Sequence, residues 1–208
     1  MKLLAHRGYW NDTIAPNSYQ SFIEAFSNGY GIETDFRDYE GQLVISHDPP
    51  TKNNYVSADD FFSLAAQYPT LPLAINIKAD GLQQLVKNYL DKYTLTEYFV
   101  FDMSVPDMYR YATAGITYYT RQSELEPHPC LLEQAKGIWL DAFTSQWYST
   151  TELATILATG KQIAIVSAEL HKRNYKLQWQ MIKELKDNTE NLFLCTDLPN
   201  EAKQYFTI

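Results

Sequence analysis

The stretch GIETDFRDYEGQLVISHD, residues 31–48, predicts a β-strand over residues 31–36 and, after the turn DYEG, a return segment that completes a hairpin. Glu33 and Asp35 stand two residues apart in the first arm, so their side chains point to the same side of the strand. His47 and Asp48 close the return segment. The stretch therefore gathers acidic and imidazole groups around one strand.

On both sides of this stretch, short β-branched or aromatic runs alternate with longer amphipathic stretches, which is typical of βα units around a parallel sheet. The predicted strands cover residues 3–7, 31–36, 73–78, 98–103, 117–121, 137–142, 161–167 and 191–196. The predicted helices cover residues 18–28, 58–67, 80–93, 105–114, 129–135, 150–159, 174–187 and 199–206. The predicted helix caps are Asn17, Ser57, Asp80, Ser104 and Ser149.

Eight pairs of strand and helix are enough to close a small (β/α)8 barrel. We therefore predict an α/β fold, a (β/α)8 TIM barrel that forms a single domain over residues 1–208. An open doubly wound sheet is the alternative, because a count of strands does not show closure. The sequence contains no glycine-rich loop of the nucleotide-binding or dinucleotide-binding kind.

The composition and net charge of the chain disfavour some kinds of binding partner. The 17 basic and 25 acidic residues give a net charge of −8, which disfavours nonspecific binding to nucleic acid or to an anionic membrane. Cys130 and Cys195 are too few and too far apart for a disulfide framework. No signal-peptide pattern and no long apolar run are present. We expect a cytoplasmic protein that acts on a small molecule, without a nucleic-acid partner or membrane insertion, and the oligomeric state stays open.

The ends of the predicted strands carry polar side chains, and the active sites of TIM barrels lie at the carboxyl ends of their strands. These side chains are His6, Arg7, Glu33, Asp35, His47, Asn76 and Lys78. Two carboxylates on one strand face repel each other, and a cation between them makes their burial tolerable. Oxygen ligands favour Mg²⁺ or Ca²⁺, and a nearby histidine also admits a transition metal such as Mn²⁺. On an edge strand the same two acids would simply be solvated.

These residue types fit the cleavage of a phosphodiester. A metal ion together with Lys78 or Arg7 would neutralise the charge on the phosphate oxygens. One of His6 and His47 would take a proton from the attacking hydroxyl, and the other would protonate the leaving group. Gly8 would let the backbone come close to the ligand.

Five segments, in this order, resemble the glycerophosphodiester phosphodiesterase domain family of the phospholipase C-like phosphodiesterase superfamily. They are AHRG, APNSYQSFIEAFSNG, IETDFRDYEGQLVISHD, INIK and CTDLP. The resemblance is dense over residues 5–48 and sparse but ordered beyond them. It implies a (β/α)8 barrel and the metal-dependent hydrolysis of a glycerophosphodiester in lipid metabolism. By position it implies an acid/base pair (His6, His47), metal carboxylates (Glu33, Asp35) and phosphate contacts (Arg7, Lys78).

The chain departs from the pattern of that family at three places. The family has a glutamate two residues before the lysine of the third strand, and this chain has Asn76, whose amide oxygen can bind a cation without adding charge. Residues 49–72 are shorter than the insertion that the family carries there, which predicts a more open pocket. The seventh strand leads into IVSAELHKRN instead of the family's motif. The resulting candidates for substrate contact are Glu169, His171, Asp141 and Trp10.

Three functions stay open at this point. The first is a metal-dependent phosphodiesterase that hydrolyses a small, glycerophosphodiester-like substrate. The second is a lyase-like relative that stops at a cyclic phosphate because a hydroxyl of the substrate is the nucleophile. The third is a non-catalytic barrel that binds a phosphate ligand. This alternative is kept because Asn76 stands where the family has a glutamate.

Overall fold

The computed structural model describes residues 1–185 and 187–208 and divides them into two compact units. The first unit comprises residues 5–118, and the second comprises residues 1–4 and 119–208. The elements that precede residue 118 are β1 (Lys2–His6), α1 (Tyr19–Ser27), β2 (Gly31–Tyr39), β3 (Gln42–Ile45), β4 (Val56–Ser57), α2 (Ala58–Ala65), β5 (Leu73–Ile77), α3 (Gln83–Lys92), β6 (Tyr98–Phe101) and α4 (Val105–Thr113). The elements that follow it are β7 (Tyr119–Gln122), β8 (Gly137–Leu140), α5 (Thr150–Ala158), β9 (Gln162–Val166), α6 (Lys176–Lys183), β10 (Leu192–Thr196) and α7 (Pro199–Phe206).

Strand β2 organises the sheet of the first unit. It pairs antiparallel with β3, and β3 pairs antiparallel with the short β4, so the predicted hairpin is confirmed. Strand β2 also pairs in parallel with β5, which pairs in parallel with β6. The register sets Asp35 opposite Asn76. Because residues in register share a face of the sheet, this pairing brings the polar ends of β2 and β5 together.

Aromatic rings form the core of the first unit around β2 and the helices α1 and α2. The ring of the fully buried Phe61 lies 4.8 Å from that of Phe22 and 5.8 Å from that of Phe36. Phe26 stacks on Tyr68 with ring centroids 5.1 Å apart. Core packing is therefore the role of these aromatic side chains, rather than contact with a ligand.

Three of the five predicted helix caps are confirmed, and two are wrong. Ser57, Ser104 and Ser149 cap α2, α4 and α5 through their side chains. Helix α1 is capped by Ser18, because Asn17 has a φ of 52° and turns its side chain towards β2 instead. Helix α3 begins only at Gln83, and Asp80 accepts a hydrogen bond from the Ser104 hydroxyl, 3.0 Å away.

In the second unit, β9 pairs in parallel with both β10 and β8, and β8 pairs in parallel with β7. Trp179 of α6 is 1% exposed and packs against Tyr205 and Phe206. Its indole donates a hydrogen bond to the Ser167 hydroxyl, 2.8 Å away. The helix predicted over residues 174–187 is Lys176–Lys183, and residue 186 lies outside the described residues.

The helix predicted over residues 129–135 is wrong, because these residues form turns and irregular backbone between β7 and β8. Pro127 and Pro129 have no N–H groups to donate and restrict the residues before them. Leu131 then takes the left-handed conformation, with a φ of 52°, which a helix does not tolerate. The apolar residues of this segment fit a helical pattern, but the backbone does not form the helix.

The predicted α/β class is confirmed, since strands and helices alternate along both units. Closure of an eight-stranded barrel and the single domain over residues 1–208 stay predictions. Among the described residues, no helix has the length and apolar character needed to cross a membrane.

Replacing Phe61 by Ala should lower the free energy of unfolding by about 3–5 kcal/mol, because a fully buried ring that contacts its neighbours leaves a cavity. Urea denaturation measures the loss. Tyr109→Ala is the matched control, since Tyr109 is 57% exposed. A loss of less than about 1 kcal/mol for Phe61→Ala would contradict the assigned core.

Candidate active site

The end of β1 places His6 and Arg7 at a sharp turn. Arg7 has a φ of 58°, and its backbone N–H donates to the carbonyl oxygen of Glu33, 2.7 Å away. The turn continues through Gly8, with a φ of +83°, where a Cβ atom would lie 2.5 Å from the Ser21 hydroxyl. A close approach to helix α1 thus requires glycine at this position, and the approach of the backbone to a ligand stays a prediction. The Trp10 indole donates to the carbonyl oxygen of His6, 3.0 Å away, which ties the following residues back to the turn.

Asp35 is the most heavily paired acid of the site. Its side chain is 2% exposed, and its two oxygens face two cations. The Nε atom of Arg7 lies 3.4 Å from Oδ2, and the Nζ atom of Lys78 lies 3.3 Å from Oδ1. Both cations are only partly exposed, so the attraction is less screened than at the surface. The predicted phosphate-binding side chains are therefore held together by a shared counter-ion.

Asn17 is a further partner of Asp35. The sequence predicted it only as a helix cap. Its side-chain amide donates to Oδ2 of Asp35 at 2.8 Å, and its side-chain oxygen accepts from the Thr34 hydroxyl at 2.6 Å. Its backbone N–H donates to the carbonyl oxygen of Arg7 at 2.8 Å. Asparagine tolerates the left-handed backbone that these bonds require. One signal was available, since Asn17 lies within the APNS segment that carries the family resemblance.

Glu33 is buried to 2% exposure beside Asp35, and it lacks a full complement of partners. Burial, followed by the repulsion from Asp35, raises the pKa of Glu33 to about 7. The Asn76 side chain donates to Oε1 at 3.1 Å, and the Nε2 atom of His6 lies 3.9 Å from Oε2. Glu33 is thus the group of the site whose charge is most easily lost.

His47 follows β3 and is more open to solvent than the rest of the site. Its side chain is 46% exposed, and its Nδ1 atom lies 2.9 Å from Oδ1 of the exposed Asp48. The backbone N–H of Ser46 donates to the carbonyl oxygen of Asp35, 3.0 Å away. The hairpin therefore returns the chain to the end of β2 just before His47.

Three further predicted side chains, Asp141, Glu169 and His171, lie in the second unit, and two of them form a pair. The Nε2 atom of His171 lies 2.6 Å from Oδ1 of Asp141, whose side chain is 8% exposed. Glu169 does not join them, because its oxygens accept hydrogen bonds from Ser167, Thr196 and the backbone of Asp197. Contact of these residues, and of Trp10 in the first unit, with a substrate stays a prediction.

Comparison with solved structures identifies the fold. A glycerophosphodiester phosphodiesterase from Parabacteroides distasonis aligns over 99% of this chain and 96% of its own, with a TM-score of 0.72 and 17% identity. An Oleispira antarctica phosphodiesterase in complex with the product sn-glycerol-3-phosphate aligns over 100% and 97%, with a TM-score of 0.72 and 12% identity. The chain has the fold of the glycerophosphodiester phosphodiesterases. No family model and no curated protein sequence matches it.

A phospholipase C is also similar to this chain in fold. A Ca²⁺-dependent phosphatidylinositol-specific phospholipase C from Streptomyces antibioticus aligns over 99% of this chain and 95% of its own, with a TM-score of 0.59 and 11% identity. The fold resemblance to the glycerophosphodiester phosphodiesterases, which the sequence motifs predicted, is thus confirmed. At these identities the likeness establishes the fold, and the chemistry has to be argued from the site.

The oxygen atoms of the site at the ends of β2 and β5 fit a hard divalent cation. Oε2 of Glu33 and Oδ1 of Asn76 are buried oxygens without a hydrogen-bond partner. Both oxygens of Asp35, in contrast, face cationic side chains. No group of three or more His, Cys, Asp and Glu side chains in the described ranges is arranged to hold a metal ion. The chain therefore offers two unpartnered oxygens, and water would have to supply much of the coordination shell.

In the metal-free protein, Glu33→Gln should stabilise the fold more at high pH than at low pH. The folded protein keeps the Glu33 proton up to a pKa of about 7, while the unfolded chain loses it near 4.5, so wild-type stability falls as the pH rises between these values. Glutamine does not titrate, so the stability of the variant lacks this pH dependence. The free energy of unfolding of the variant relative to wild type should therefore rise by about 3 kcal/mol between pH 4.5 and 8. Urea denaturation in EDTA at several pH values measures it.

Glu184→Gln provides the matched control, as it removes the carboxylate of an exposed glutamate. A constant difference between Glu33→Gln and wild type across this pH range would contradict the buried, partly protonated state of Glu33.

Proposed function

We propose that the chain is a phosphodiesterase that hydrolyses a small phosphodiester of the glycerophosphodiester kind, with the help of a divalent cation. The observation that carries this proposal is the pair of cations, Arg7 and Lys78, held on the buried Asp35. The likeness in fold to enzymes named as glycerophosphodiester phosphodiesterases supports it.

The cation pair suits a phosphodiester because it keeps spare hydrogen-bond donors. A guanidinium has five N–H groups and an ammonium has three. Asp35 engages Arg7 through Nε and Lys78 through Nζ, and it also accepts from Asn17. Donors therefore remain on both cations for the phosphate oxygens. As negative charge builds on these oxygens in the transition state, fixed cations in a partly buried site stabilise it.

The proton transfers belong to His6 and His47 in this proposal. One imidazole takes the proton of the attacking water, and the other protonates the oxygen of the leaving alcohol. An imidazole can serve as general base or as general acid, so the two can divide these tasks. The carboxylate of Glu33 lies beside His6 and that of Asp48 beside His47, so each ring has an acid that can orient it.

Glu33 and Asn76 would hold the divalent cation through their unpartnered oxygens, with Asp35 as the third predicted ligand. When bound, Mg²⁺, Ca²⁺ or Mn²⁺ would supply further positive charge to the phosphate oxygens.

Turnover of bis(p-nitrophenyl) phosphate and of a panel of glycerophosphodiesters, with each metal and with EDTA, tests the function. We expect release of an alcohol and a phosphomonoester that depends on the metal. A cyclic phosphate as the end product would favour the lyase-like alternative. Binding of glycerol phosphate without any turnover would contradict the proposal in favour of a binding barrel.

Replacing His6 or His47 by Ala should lower kcat by roughly 10²- to 10⁴-fold, because each imidazole supplies one proton transfer. If the two imidazoles act as a unit, the kcat of the double variant should be only slightly lower than that of the less active single variant. His128→Ala, in an exposed loop of the second unit, is the control. Wild-type turnover in either single variant would remove that histidine from the mechanism.

Asn76→Glu tests the metal ligands by calorimetric titration with Mg²⁺ and Ca²⁺. A third carboxylate beside Glu33 should tighten metal binding by about tenfold or more, and it should lower the melting temperature in EDTA, because like charges then face each other in a buried site. If Asn76 serves only as a hydrogen-bond donor to Glu33, the variant would instead bind metal no better than wild type.

A further inference from the structure

Arg37 of β2 spans the two segments that carry His47 and Lys78. Its Nε and Nη2 atoms donate to the carbonyl oxygen of His47 at 3.1 and 3.0 Å. Its Nη1 atom donates to the carbonyl oxygen of Lys78 at 3.1 Å. One guanidinium thus connects the backbone that follows β3 to the backbone that follows β5.

This use of an arginine differs from an ordinary surface ion pair. Within the part of the chain that the structure describes, no carboxylate forms an ion pair with Arg37. The planar guanidinium projects several N–H donors in fixed directions, so it can bond two carbonyl groups at once. A lysine offers a single point of charge and cannot reproduce that fork.

The two residues that Arg37 contacts need an anchor of this kind. The His47 side chain is 46% exposed, so packing does little to fix it, and its neighbour Asp48 is 83% exposed. The Lys78 backbone N–H already donates to the carbonyl oxygen of Phe36 at 3.0 Å, and the Arg37 contact fixes the carbonyl group of the same residue.

We infer that Arg37 is a positioning residue, which holds the proton-transferring His47 and the phosphate-binding Lys78 in register through their backbone carbonyl groups. This inference rests on the proposed function for its consequence in catalysis, although the contacts themselves do not. A misplacement of about 1 Å in a catalytic group can lower the rate by about a hundredfold. Loss of the anchor should therefore lower kcat without removing any group that touches the substrate.

The test compares Arg37→Met, Arg37→Gln and Arg37→Lys, with bis(p-nitrophenyl) phosphate and Mg²⁺ as the probe. We expect kcat to fall by about 10- to 100-fold in both the Met and the Lys variants. The Gln variant should lose about as much, since a single amide, like a single ammonium, does not bond both carbonyl groups at once. Arg110→Met, at an exposed position on α4, removes the same charge and should keep the wild-type kcat. Wild-type kcat in Arg37→Lys would overturn the inference, because it would show that charge alone suffices.

Hydrogen exchange of the free protein provides a readout that does not need activity. The backbone amides of residues 46–48 and 78–79 should exchange faster in Arg37→Met and Arg37→Lys than in wild type, and those of the second unit should not change. Unchanged exchange at both segments overturns the inference even if kcat falls. If wild type turns over no phosphodiester, the proposed function fails, and the exchange rates still decide whether Arg37 is the anchor.

Discussion

Two carboxylates buried two residues apart on β2 impose the constraint on which the rest of the site depends. An isolated buried charge costs several kcal/mol, so Glu33 and Asp35 cannot both stay ionised without compensation. The two acids meet this constraint differently. Asp35 is surrounded by Arg7, Lys78 and the amide of Asn17, whereas Glu33 has a pKa raised to about 7. The turn after β1 and the end of β5 supply the two cationic side chains that compensate the charge of Asp35.

The residues that hold this arrangement were predictable wherever the signal was local. Period-two spacing places Glu33 and Asp35 on one face, and the turn DYEG predicts the hairpin that returns His47. Alternating runs of strand and helix predict the α/β class. Errors concentrate where a local signal competes with a distant one. Asparagine is a residue type typical of helix N-caps, yet the side chain of Asn17 donates a hydrogen bond to Asp35, eighteen residues later in the chain.

The contacts of Arg37 could not be predicted for a related reason. An arginine two residues after Asp35 gives no hint of its partners, because backbone carbonyl groups carry no sequence signature. Both of its partners become neighbours only when β3 and β5 align on opposite sides of β2. The failed helix over residues 129–135 has the opposite cause, since two prolines and the left-handed Leu131 overrode a pattern of apolar residues.

Asn76 changes the charge balance of the whole site, beyond its own contacts. With an amide in place of a carboxylate, Arg7 and Lys78 face one paired acid and one acid that is half protonated near neutral pH. Less negative charge weakens the attraction for a divalent cation, and it also weakens the repulsion of an incoming phosphodiester. Under the proposed function, weaker metal binding would slow turnover and weaker repulsion of the phosphodiester would favour it. Under the proposed function, the neutral amide would therefore leave a larger share of the charge neutralisation to the side chains of Arg7 and Lys78 and a smaller share to a bound cation.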